Sequence, residues 1–321
     1  MSIIDIDYLL LLQNFRKLTG GIFDSFFTTF TELGNGLIPV CIMACIYWVV
    51  NKEIGVYLLM NFAFSFISNG FLKITACIYR PWIRDVRVMP VSDAKITATG
   101  YSFPSGHVSQ STALWGGLAA KMKSRSKVAM IASIVILALI CFSRNYLGVH
   151  TPQDVLVSLC VGCIWLFIVS KIITWTEKGK NNDIILTLIV VVISVAITIY
   201  AMVKNYPIDY DEAGKILVDS KKMVPDTSYC TGAAIGFFIG WVLERRFVKF
   251  NVECSINQKI ARLICGLPIV IFIVRAGFSI FKSFLPTAVT TFLYAFIMTF
   301  FVTYLYPLIF TKIEDAQKMK L

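Results

Sequence analysis

Charged side chains are scarce in this sequence. They make up 15% of its 321 residues, whereas hydrophobic side chains make up 57% and the mean hydropathy is +0.74. A soluble domain needs a more polar surface than this composition provides, so the chain is predicted to lie in a bilayer. The sequence also has no internal repeat, no low-complexity segment and no polar stretch long enough for a soluble domain. It therefore predicts one helical membrane domain.

Clusters of metal-binding or nucleic-acid-binding residues are also missing. The 19 acidic residues form no group resembling a magnesium or calcium site, so no metal and no other cofactor is expected. The 30 Lys and Arg residues are scattered among short connections, which argues against nucleic acid as a partner. Most of the nine cysteines lie in apolar runs and are expected to be small buried hydrophobes. Cys160 and Cys163 have a CxxC spacing, but a membrane helix without a second pair gives a zinc or redox site little support.

Long apolar runs recur from one end of the chain to the other. About 20 apolar residues cross a hydrocarbon core, and the runs, with a shorter segment after Pro104, predict roughly nine spans. The runs cover residues 36–50, 56–76, 128–142, 155–173, 184–203, 229–242, 260–281 and 287–310. The expected fold class is therefore all-α, a polytopic membrane helical bundle with roughly nine transmembrane helices.

The N-terminal segment is more polar than these runs. Asp5 and Asp7 precede a short apolar stretch and no small-residue cleavage site follows, so the segment is expected to stay attached. Residues 1–35 mix Leu and Phe with Asp, Arg and Lys, which favours an amphipathic interfacial segment over a plain N-terminal extension. We therefore expect an interfacial segment over residues 1–35 and a transmembrane domain over residues 36–321.

Basic residues indicate which connections face the cytoplasm. They cluster at residues 121–127, 171–180, 245–262 and 312–320. If the spans alternate as counted, these clusters lie on one side, which is the positive-inside pattern. The connections over residues 79–103, 144–150 and 204–228 then face outward. The third, with Asp209, Asp211 and Glu212, is either a lid or a solvated loop, and the sequence favours the loop.

Two cations, Lys73 and Arg80, precede Pro81 at the outer end of an apolar run. Seven residues are almost two helical turns, so both cations are predicted to lie on one helix face, about 10 Å apart along the axis. Such a pair can bind one anion. Cations that merely anchor a helix end by snorkelling are an equally common arrangement. Pro81 is expected to end the helix near Arg80 and to place its guanidinium at the membrane surface.

The only two histidines both stand where a helix is expected to begin on the outer side. In Pro104-Ser105-Gly106-His107, Ser105 is a natural N-cap, and free backbone N–H groups near Ser105 and Gly106 can hold phosphate oxygens. His107, in the first turn, is then placed to give a proton to a leaving oxygen. The alternative is an ordinary capped helix with an incidental histidine.

Arg144 and His150 flank the next outer connection. Thr151 suits an N-cap, Pro152 the first helical position and Asp154 the third. Asp154 can cap the helix, accept a hydrogen bond from the His150 ring, or do both. Cations, histidines and a carboxylate on one face suit phosphoryl transfer, because its catalysis is largely positioning and electrostatic stabilisation.

The three segments resemble the motifs of the type 2 phosphatidic acid phosphatase superfamily, which includes lipid phosphate phosphatases, prenyl diphosphate phosphatases and glucose-6-phosphatase. The family's motifs read Lys-x6-Arg-Pro, Pro-Ser-Gly-His and Ser-Arg-x5-His-x3-Asp. They match this sequence in order and spacing at Lys73 to Pro81, Pro104 to His107, and Ser143 to Asp154.

The resemblance implies a role for each matched residue. The implied phosphate-binding residues are Lys73, Arg80, Ser105, Gly106 and Arg144. His107 would be the general acid, His150 the nucleophile and Asp154 the partner that orients it.

The resemblance also implies an activity. The expected reaction is metal-independent hydrolysis of a lipid phosphate or prenyl diphosphate through a phosphohistidine intermediate. A phosphatase or phosphotransferase for a soluble ester stays open, and with less weight an anion transporter, because Arg275 lies in an apolar run. The expected partners are the phosphorylated lipid and the surrounding membrane lipids, and the sequence carries no signal of oligomeric state. The expected location is the cell membrane, with the active site on its extracytoplasmic face.

Overall fold

Helices dominate the structure. The computed structural model describes residues 4–211, 213–214 and 216–319. Helix makes up 79% of it, and no strand occurs in those ranges beyond an isolated bridge between Tyr210 and Ile216. This confirms the all-α prediction. Residues 1–3 of the predicted interfacial segment, Glu212 of the third outer connection and Lys320 of the basic C-terminal cluster lie outside the described residues.

Fifteen α-helices follow one another in the described chain. They are α1 (Ile4–Leu18), α2 (Asp24–Phe30), α3 (Leu37–Cys45), α4 (Lys52–Ala76), α5 (Pro81–Arg84), α6 (Ser92–Thr97), α7 (Gly106–Ser111), α8 (Gly117–Met122), α9 (Lys127–Tyr146), α10 (Pro152–Lys178), α11 (Asn182–Val203), α12 (Met223–Leu243), α13 (Ile256–Lys282), α14 (Thr287–Phe300) and α15 (Tyr306–Lys318). Short 3₁₀ turns cover Thr31–Gly34 and Ser220–Lys222, and π-helical turns cover Ile46–Val50, Thr112–Gly116, Glu244–Val248 and Phe301–Leu305.

The helices confirm a chain with many membrane spans. Six segments of the described chain are long and apolar enough to cross a bilayer, and a seventh if the bent pair Asp24–Gly34 and Leu37–Val50 is one span. The six are Lys52–Arg84, Lys127–Tyr146, Pro152–Lys178, Asn182–Val203, Ile256–Lys282 and Thr287–Lys318. The predicted number of nine is therefore approximate. Two counted runs form helices outside this set, because the stretch from α7 to α8 is short and α12 contains several Gly, Ser and Thr residues.

The expectation for the cysteines is wrong. All nine are free and none is buried; Cys160, Cys163 and Cys265 are exposed and the others are half-buried. They lie largely on long apolar helices, whose outward faces can meet lipid instead of water. An apolar run therefore did not require that its cysteines face a protein core.

The chain divides into two compact units. Unit 1 comprises Met1–Pro39, Ser68–Leu166 and Val203–Met223, and unit 2 comprises Val40–Ile67, Phe167–Met202 and Val224–Leu321. All three motifs lie in unit 1. The boundary proposed at residue 35 stays a prediction, as does the interfacial position of residues 1–35.

In unit 1, α1 is bonded to the last residue of α5 and to the connection that follows it. Asp5 forms a 2.9 Å ion pair with Arg84. The Gln13 side chain donates to the Arg87 carbonyl at 3.0 Å and accepts from the Met89 N–H at 2.6 Å. The opposite side of α1 leaves apolar side chains such as Leu18 exposed. One side of α1 therefore packs on the rest of unit 1, while the exposed side mixes apolar residues such as Leu18 with polar ones.

Unit 2 is held at several points by paired charges. Lys52 Nζ lies 2.6 Å from a Glu244 carboxylate oxygen, and Arg262 donates to both Glu314 carboxylate oxygens at 2.8 Å. Arg262 also donates to the Trp48 carbonyl at 2.9 Å. These bonds connect α4 to the π-helical turn Glu244–Val248, and α13 to α15 and to the π-helical turn Ile46–Val50.

Candidate active site

The first motif is broken where the sequence predicts a continuous helix. Helix α4 ends at Ala76, and Cys77 has a positive φ of 49°. The Cys77 N–H closes the last turn by donating to the Lys73 carbonyl at 3.1 Å. Arg80 is extended, with φ −64° and ψ 152°, as the clash with the Pro81 ring requires. Lys73 and Arg80 therefore do not share a helix face, and that prediction is wrong.

Both cations of the first motif are held by backbone carbonyls. Lys73 Nζ donates to the Tyr101 carbonyl at 3.0 Å and to the Pro104 carbonyl at 3.2 Å. Arg80 is only 5% exposed, so its side chain is buried in the protein. It donates to the carbonyls of Thr99, Gly100 and Val149 at 2.8, 3.2 and 3.0 Å. Carbonyl oxygens orient a cation without cancelling its charge.

Arg80 also contacts the histidine of the third motif. Its Nη1 lies 3.1 Å from His150 Nε2. A guanidinium can only donate, so Nε2 must accept and the ring proton of neutral His150 is on Nδ1. Nδ1 in turn lies 3.4 Å from Asp154 Oδ2. The imidazole thus has its lone pair towards Arg80 and its N–H towards a carboxylate.

The His150 ring is buried, at 2% exposed. Burial is the larger cause that lowers the pKa of His150, followed by repulsion from Arg80, and together they bring it to about 3. The nearby Asp154 carboxylate opposes this shift without cancelling it. His150 is therefore neutral near pH 7, the state in which Nε2 can act as a nucleophile.

Asp154 performs both tasks that the sequence left open. Helix α10 begins at Pro152, and Asp154 Oδ2 accepts from the Thr151 N–H at 2.8 Å while Thr151 Oγ1 accepts from the Asp154 N–H at 3.4 Å. The predicted cap is confirmed. The same Oδ2 accepts a 2.5 Å hydrogen bond from Ser102 and faces His150 Nδ1. The carboxylate is thereby fixed from three directions.

The second motif begins a helix, but not with the predicted side-chain cap. Ser105 occupies the N-cap position before Gly106, yet its hydroxyl makes no cap bond and has no hydrogen-bond partner among the described residues. Its backbone N–H donates instead to the Asp154 carbonyl at 3.2 Å, which links the start of α7 to α10. His107, the second residue of α7, is half-buried. Burial is the largest cause that holds the pKa of His107 well below its ordinary value, followed by the charge of Arg144 and smaller effects of Arg80 and Lys73.

A tight turn brings Arg144 towards His150. Gly148 has a φ of +73°, a left-handed conformation that favours glycine. The N–H groups of Val149 and His150 both donate to the Arg144 carbonyl, at 3.2 and 3.3 Å. A side chain at position 148 would also lie 3.2 Å from the Pro90 Cα. The spacing between Arg144 and His150 thus depends on this glycine.

Sequence reasoning missed three polar residues around the motifs. Asn69 donates to the Pro104 carbonyl at 3.2 Å and to Ser109 Oγ at 3.0 Å. It lies about one helical turn before Lys73 in an apolar run, a signal that could have identified it. Ser102 contacts Asp154, and Thr31 contacts Arg144 at 3.2 Å. Neither is marked by any spacing in the sequence.

All eight predicted site residues lie in unit 1. Hydrogen bonds or short contacts join Arg80, His150 and Asp154 directly, and Ser105 is joined to Asp154 through its backbone. Lys73 reaches the backbone of the second motif, whereas Arg144 is held by Thr31. The arrangement combines a neutral imidazole, an orienting carboxylate and cations suited to an anion.

The comparisons with protein families match both halves of the chain. Residues 54–178 match the PAP2 superfamily, and residues 229–318 match the transmembrane extension of PAP2 superfamily phosphatases. The first range contains all three motifs. No solved structure matches the chain at a significant level.

Three curated relatives are similar to the chain. Lipid phosphate phosphatase delta of Arabidopsis thaliana is 20% identical over 86% of this chain and 67% of its own length. An undecaprenyl-diphosphatase of Sulfolobus acidocaldarius is 29% identical over 46% of this chain and 67% of its own length. Phosphatidylglycerophosphatase B of Bacillus subtilis is 28% identical over 48% of this chain and 75% of its own length. Since the two family matches together cover more than half of the sequence, the chain belongs to the PAP2 superfamily.

Proposed function

We propose that this protein hydrolyses a lipid phosphate or a prenyl diphosphate through a phosphohistidine on His150. The observation that carries the proposal is the series Arg80–His150–Asp154, in which a buried neutral imidazole lies between a cation and a carboxylate. The names of the three relatives, all phosphatases of lipid-linked phosphates, support the substrate class.

In the first step, His150 Nε2 attacks phosphorus and the bond from phosphorus to the leaving oxygen breaks. The entering phosphoryl group would take over the Arg80 donor that now contacts Nε2, which frees the lone pair for attack. Asp154 stabilises the imidazolium character that develops on the ring through the Nδ1 proton. His107, protonated when the negative charge of the bound phosphate offsets the cations that lower its pKa, gives its proton to the leaving oxygen.

In the second step, water hydrolyses the phosphohistidine. His107, now deprotonated, takes a proton from the water as its oxygen attacks phosphorus. The phosphorus–nitrogen bond breaks, its electron pair returns to Nε2, and inorganic phosphate leaves. Lys73, Arg80 and Arg144 stabilise the equatorial oxygens in both steps. Because cations of the chain do this work, we propose that the reaction needs no metal.

We further propose that the site faces the extracytoplasmic side of the cell membrane. The basic clusters support this orientation through the positive-inside rule. A substrate with its tails in the bilayer could then present its phosphate to a site near the outer surface. A soluble phosphate ester remains an outcome that the substrate comparison below can reveal.

The test is phosphate release by the purified full-length protein in detergent and EDTA. The substrates are phosphatidic acid, undecaprenyl diphosphate and glucose 6-phosphate, assayed with the wild type, His150→Ala and Arg87→Ala. Arg87 is an exposed cation of the same unit, paired with Asp85, and serves as the control. We expect release from a lipid substrate by the wild type and the control, and none by His150→Ala.

Trapping the intermediate sharpens the test. With substrate labelled in its phosphate, base-quenched wild-type protein should retain an acid-labile label that His150→Ala lacks. Release that stops in EDTA would contradict metal independence. Release that survives in His150→Ala would contradict the phosphohistidine, and a preference for glucose 6-phosphate would contradict the lipid substrate.

A further inference from the structure

The N-terminal segment contacts the proposed phosphate site through one side chain. Thr31 opens the 3₁₀ turn Thr31–Gly34 and is buried, at 3% exposed. Its Oγ1 accepts a hydrogen bond of 3.2 Å from Arg144 Nη1, across 113 residues of sequence. Arg144 is itself only 2% exposed. A segment that the sequence places outside the motif region thus contacts one of the motif cations.

Close packing holds this turn in one position. The Trp115 indole N–H donates to the Leu33 carbonyl at 2.8 Å. A Cβ added to Gly34 would lie 2.0 Å from Ser111 Oγ and 3.1 Å from an Ile140 methyl carbon, so the turn backbone packs directly against α7 and α9. Only glycine permits this approach. The Thr31 hydroxyl is therefore presented by a tightly packed backbone.

The choice of a hydroxyl as partner has an electrostatic consequence. A carboxylate at this point would pair with Arg144 and cancel much of its charge, whereas a neutral hydroxyl can orient the guanidinium and leave its charge intact. Glu32 is adjacent in sequence but exposed; its charge acts on Arg144, yet it forms no ion pair within 4 Å of Arg144 among the described residues. Among the described residues, Thr31 is the side chain that accepts a hydrogen bond from the guanidinium.

Other donors of Arg144 remain for an anion. A guanidinium has five N–H donors in a fixed plane, and Thr31 accepts one of them. The buried Nε of Arg144 has no hydrogen-bond partner among the described residues. Because the guanidinium is rigid and planar, a hydrogen bond from one of its N–H groups restricts the directions in which the other N–H groups point. Thr31 can therefore determine where the remaining donors point.

We propose that Thr31 is a positioning residue of the phosphate site, whose hydroxyl aims Arg144 at the phosphoryl oxygens. The proposal rests on the proposed function, because it assigns Arg144 the phosphate as its ligand. Thr31 acts through Arg144, and the proposal assigns it no contact with the reacting atoms. Its loss should therefore affect the transition state and oxyanion inhibitors more than substrate capture.

The experiment compares Thr31→Val, which keeps the shape and removes the acceptor, with Thr31→Ser, which restores a hydroxyl. Thr290→Val is the matched control, since Thr290 is a fully buried threonine of unit 2 that bonds the Leu285 carbonyl. For each full-length variant, kcat, KM, the inhibition constant of orthovanadate and the thermal unfolding midpoint are measured. Thr31→Ala provides a second substitution that cannot clash with its neighbours.

We expect Thr31→Val and Thr31→Ala to lower kcat about tenfold and to raise the vanadate inhibition constant by a similar factor, the size of one hydrogen bond to a charged group. KM should stay within about twofold, and Thr31→Ser and Thr290→Val should remain close to the wild type. Wild-type kcat and vanadate inhibition in both Thr31→Val and Thr31→Ala would overturn the proposal. So would equal losses in Thr31→Ser and Thr31→Val.

A parallel His150→Ala assay separates the two proposals. If His150→Ala is inactive while Thr31→Val behaves as wild type, only the role of Thr31 is overturned. If His150→Ala releases phosphate as fast as the wild type, the proposed function fails and the role of Thr31 fails with it.

Discussion

The two units surround their buried cations with different partners. In unit 2, Arg262 is 3% exposed and donates to both carboxylate oxygens of Glu314, and Lys52 pairs with the fully buried Glu244. In unit 1, Arg144 is equally buried but bonds a threonine hydroxyl and forms no ion pair among the described residues. Arg80 of the same unit donates to backbone carbonyls.

Under the proposed function, this difference separates cations that hold the fold from cations that bind the phosphate. Burying a charged group costs free energy. A carboxylate partner offsets that cost, but it also cancels much of the electric field that the cation would exert on a ligand. A cation oriented by neutral oxygens keeps that field, which can stabilise an entering anion. The partner of a buried cation therefore indicates its role better than its burial does.

The same contrast occurs within unit 1 over one helical turn. Arg80 contacts carbonyls and His150, whereas Arg84 forms an ion pair with Asp5 at 2.9 Å. Both arginines flank Pro81 in the same short segment. Only Arg80 falls at a position of the family motif, and only Arg80 contacts the proposed nucleophile.

The largest effect is expected when Arg144 is replaced by an uncharged, apolar side chain of similar length. We expect Arg144→Met to lower kcat for phosphate release by roughly 10³-fold, because it deletes a donor to charge that develops in the transition state. The unfolding temperature should change little, since no carboxylate loses an ion-pair partner. Phosphate-release kinetics and thermal unfolding in detergent measure both. Arg87→Met is the matched control, and an Arg144→Met enzyme with wild-type kcat would contradict the assignment.

The converse change in unit 2 should affect stability and not chemistry. Arg262→Met leaves Glu314 largely buried without its partner, which should cost about 3 kcal/mol of unfolding free energy. The folded fraction should keep near-wild-type kcat. Denaturant unfolding and specific activity are the measurements. The double variant Arg262→Met with Glu314→Met, which removes both charges, should recover much of the stability. A kcat loss as large as that of Arg144→Met would refute the distinction.

The smallest expected effect is a shift in the pKa of His150. With His107→Gln as background, His150 is the only histidine and its ring can be titrated by NMR in labelled protein. We expect a pKa of about 3. Arg80→Met should raise it, because the nearby positive charge that disfavours the imidazolium is gone, but burial should keep it below the ordinary value of about 6.5.

The direction in which the His150 pKa changes tests whether Arg80 acts on the ring. His150 is protonated below its pKa, so the pH range in which Nε2 keeps its lone pair extends down to about 3 with Arg80 and ends at a higher pH without it. An unchanged or lower pKa in the Arg80→Met variant would mean that Arg80 does not act on the ring. The comparison between carbonyl-held and carboxylate-paired cations would then lose its electrostatic basis.

Local signals predicted the start of α10 correctly. Thr151, Pro152 and Asp154 start α10 as expected, because an N-cap depends on residues within one turn. Ser105 occupies the predicted N-cap position, but its hydroxyl makes no cap bond. Its backbone N–H donates to the carbonyl of Asp154, which belongs to another motif. A rule based on one turn could not anticipate that competing contact.

The first motif shows how a periodicity argument fails. A spacing of seven suits one helix face, and no glycine or proline between Lys73 and Arg80 signals a break. The helix nevertheless ends at Ala76, with Cys77 in the left-handed region that non-glycine residues seldom adopt. Tertiary bonds of Lys73 and Arg80 to distant carbonyls accompany this break.

The sequence by itself determined that this is an all-helical membrane protein, that its three motifs fall in the order of the PAP2 superfamily, and where α10 begins. These properties follow from composition, short-range periodicity and caps, which act within a few residues. Only the tertiary structure decided that Arg80 contacts His150, that Ser102 contacts Asp154 and that Thr31 contacts Arg144. Those contacts join segments far apart in the chain, and they depend on how whole helices pack.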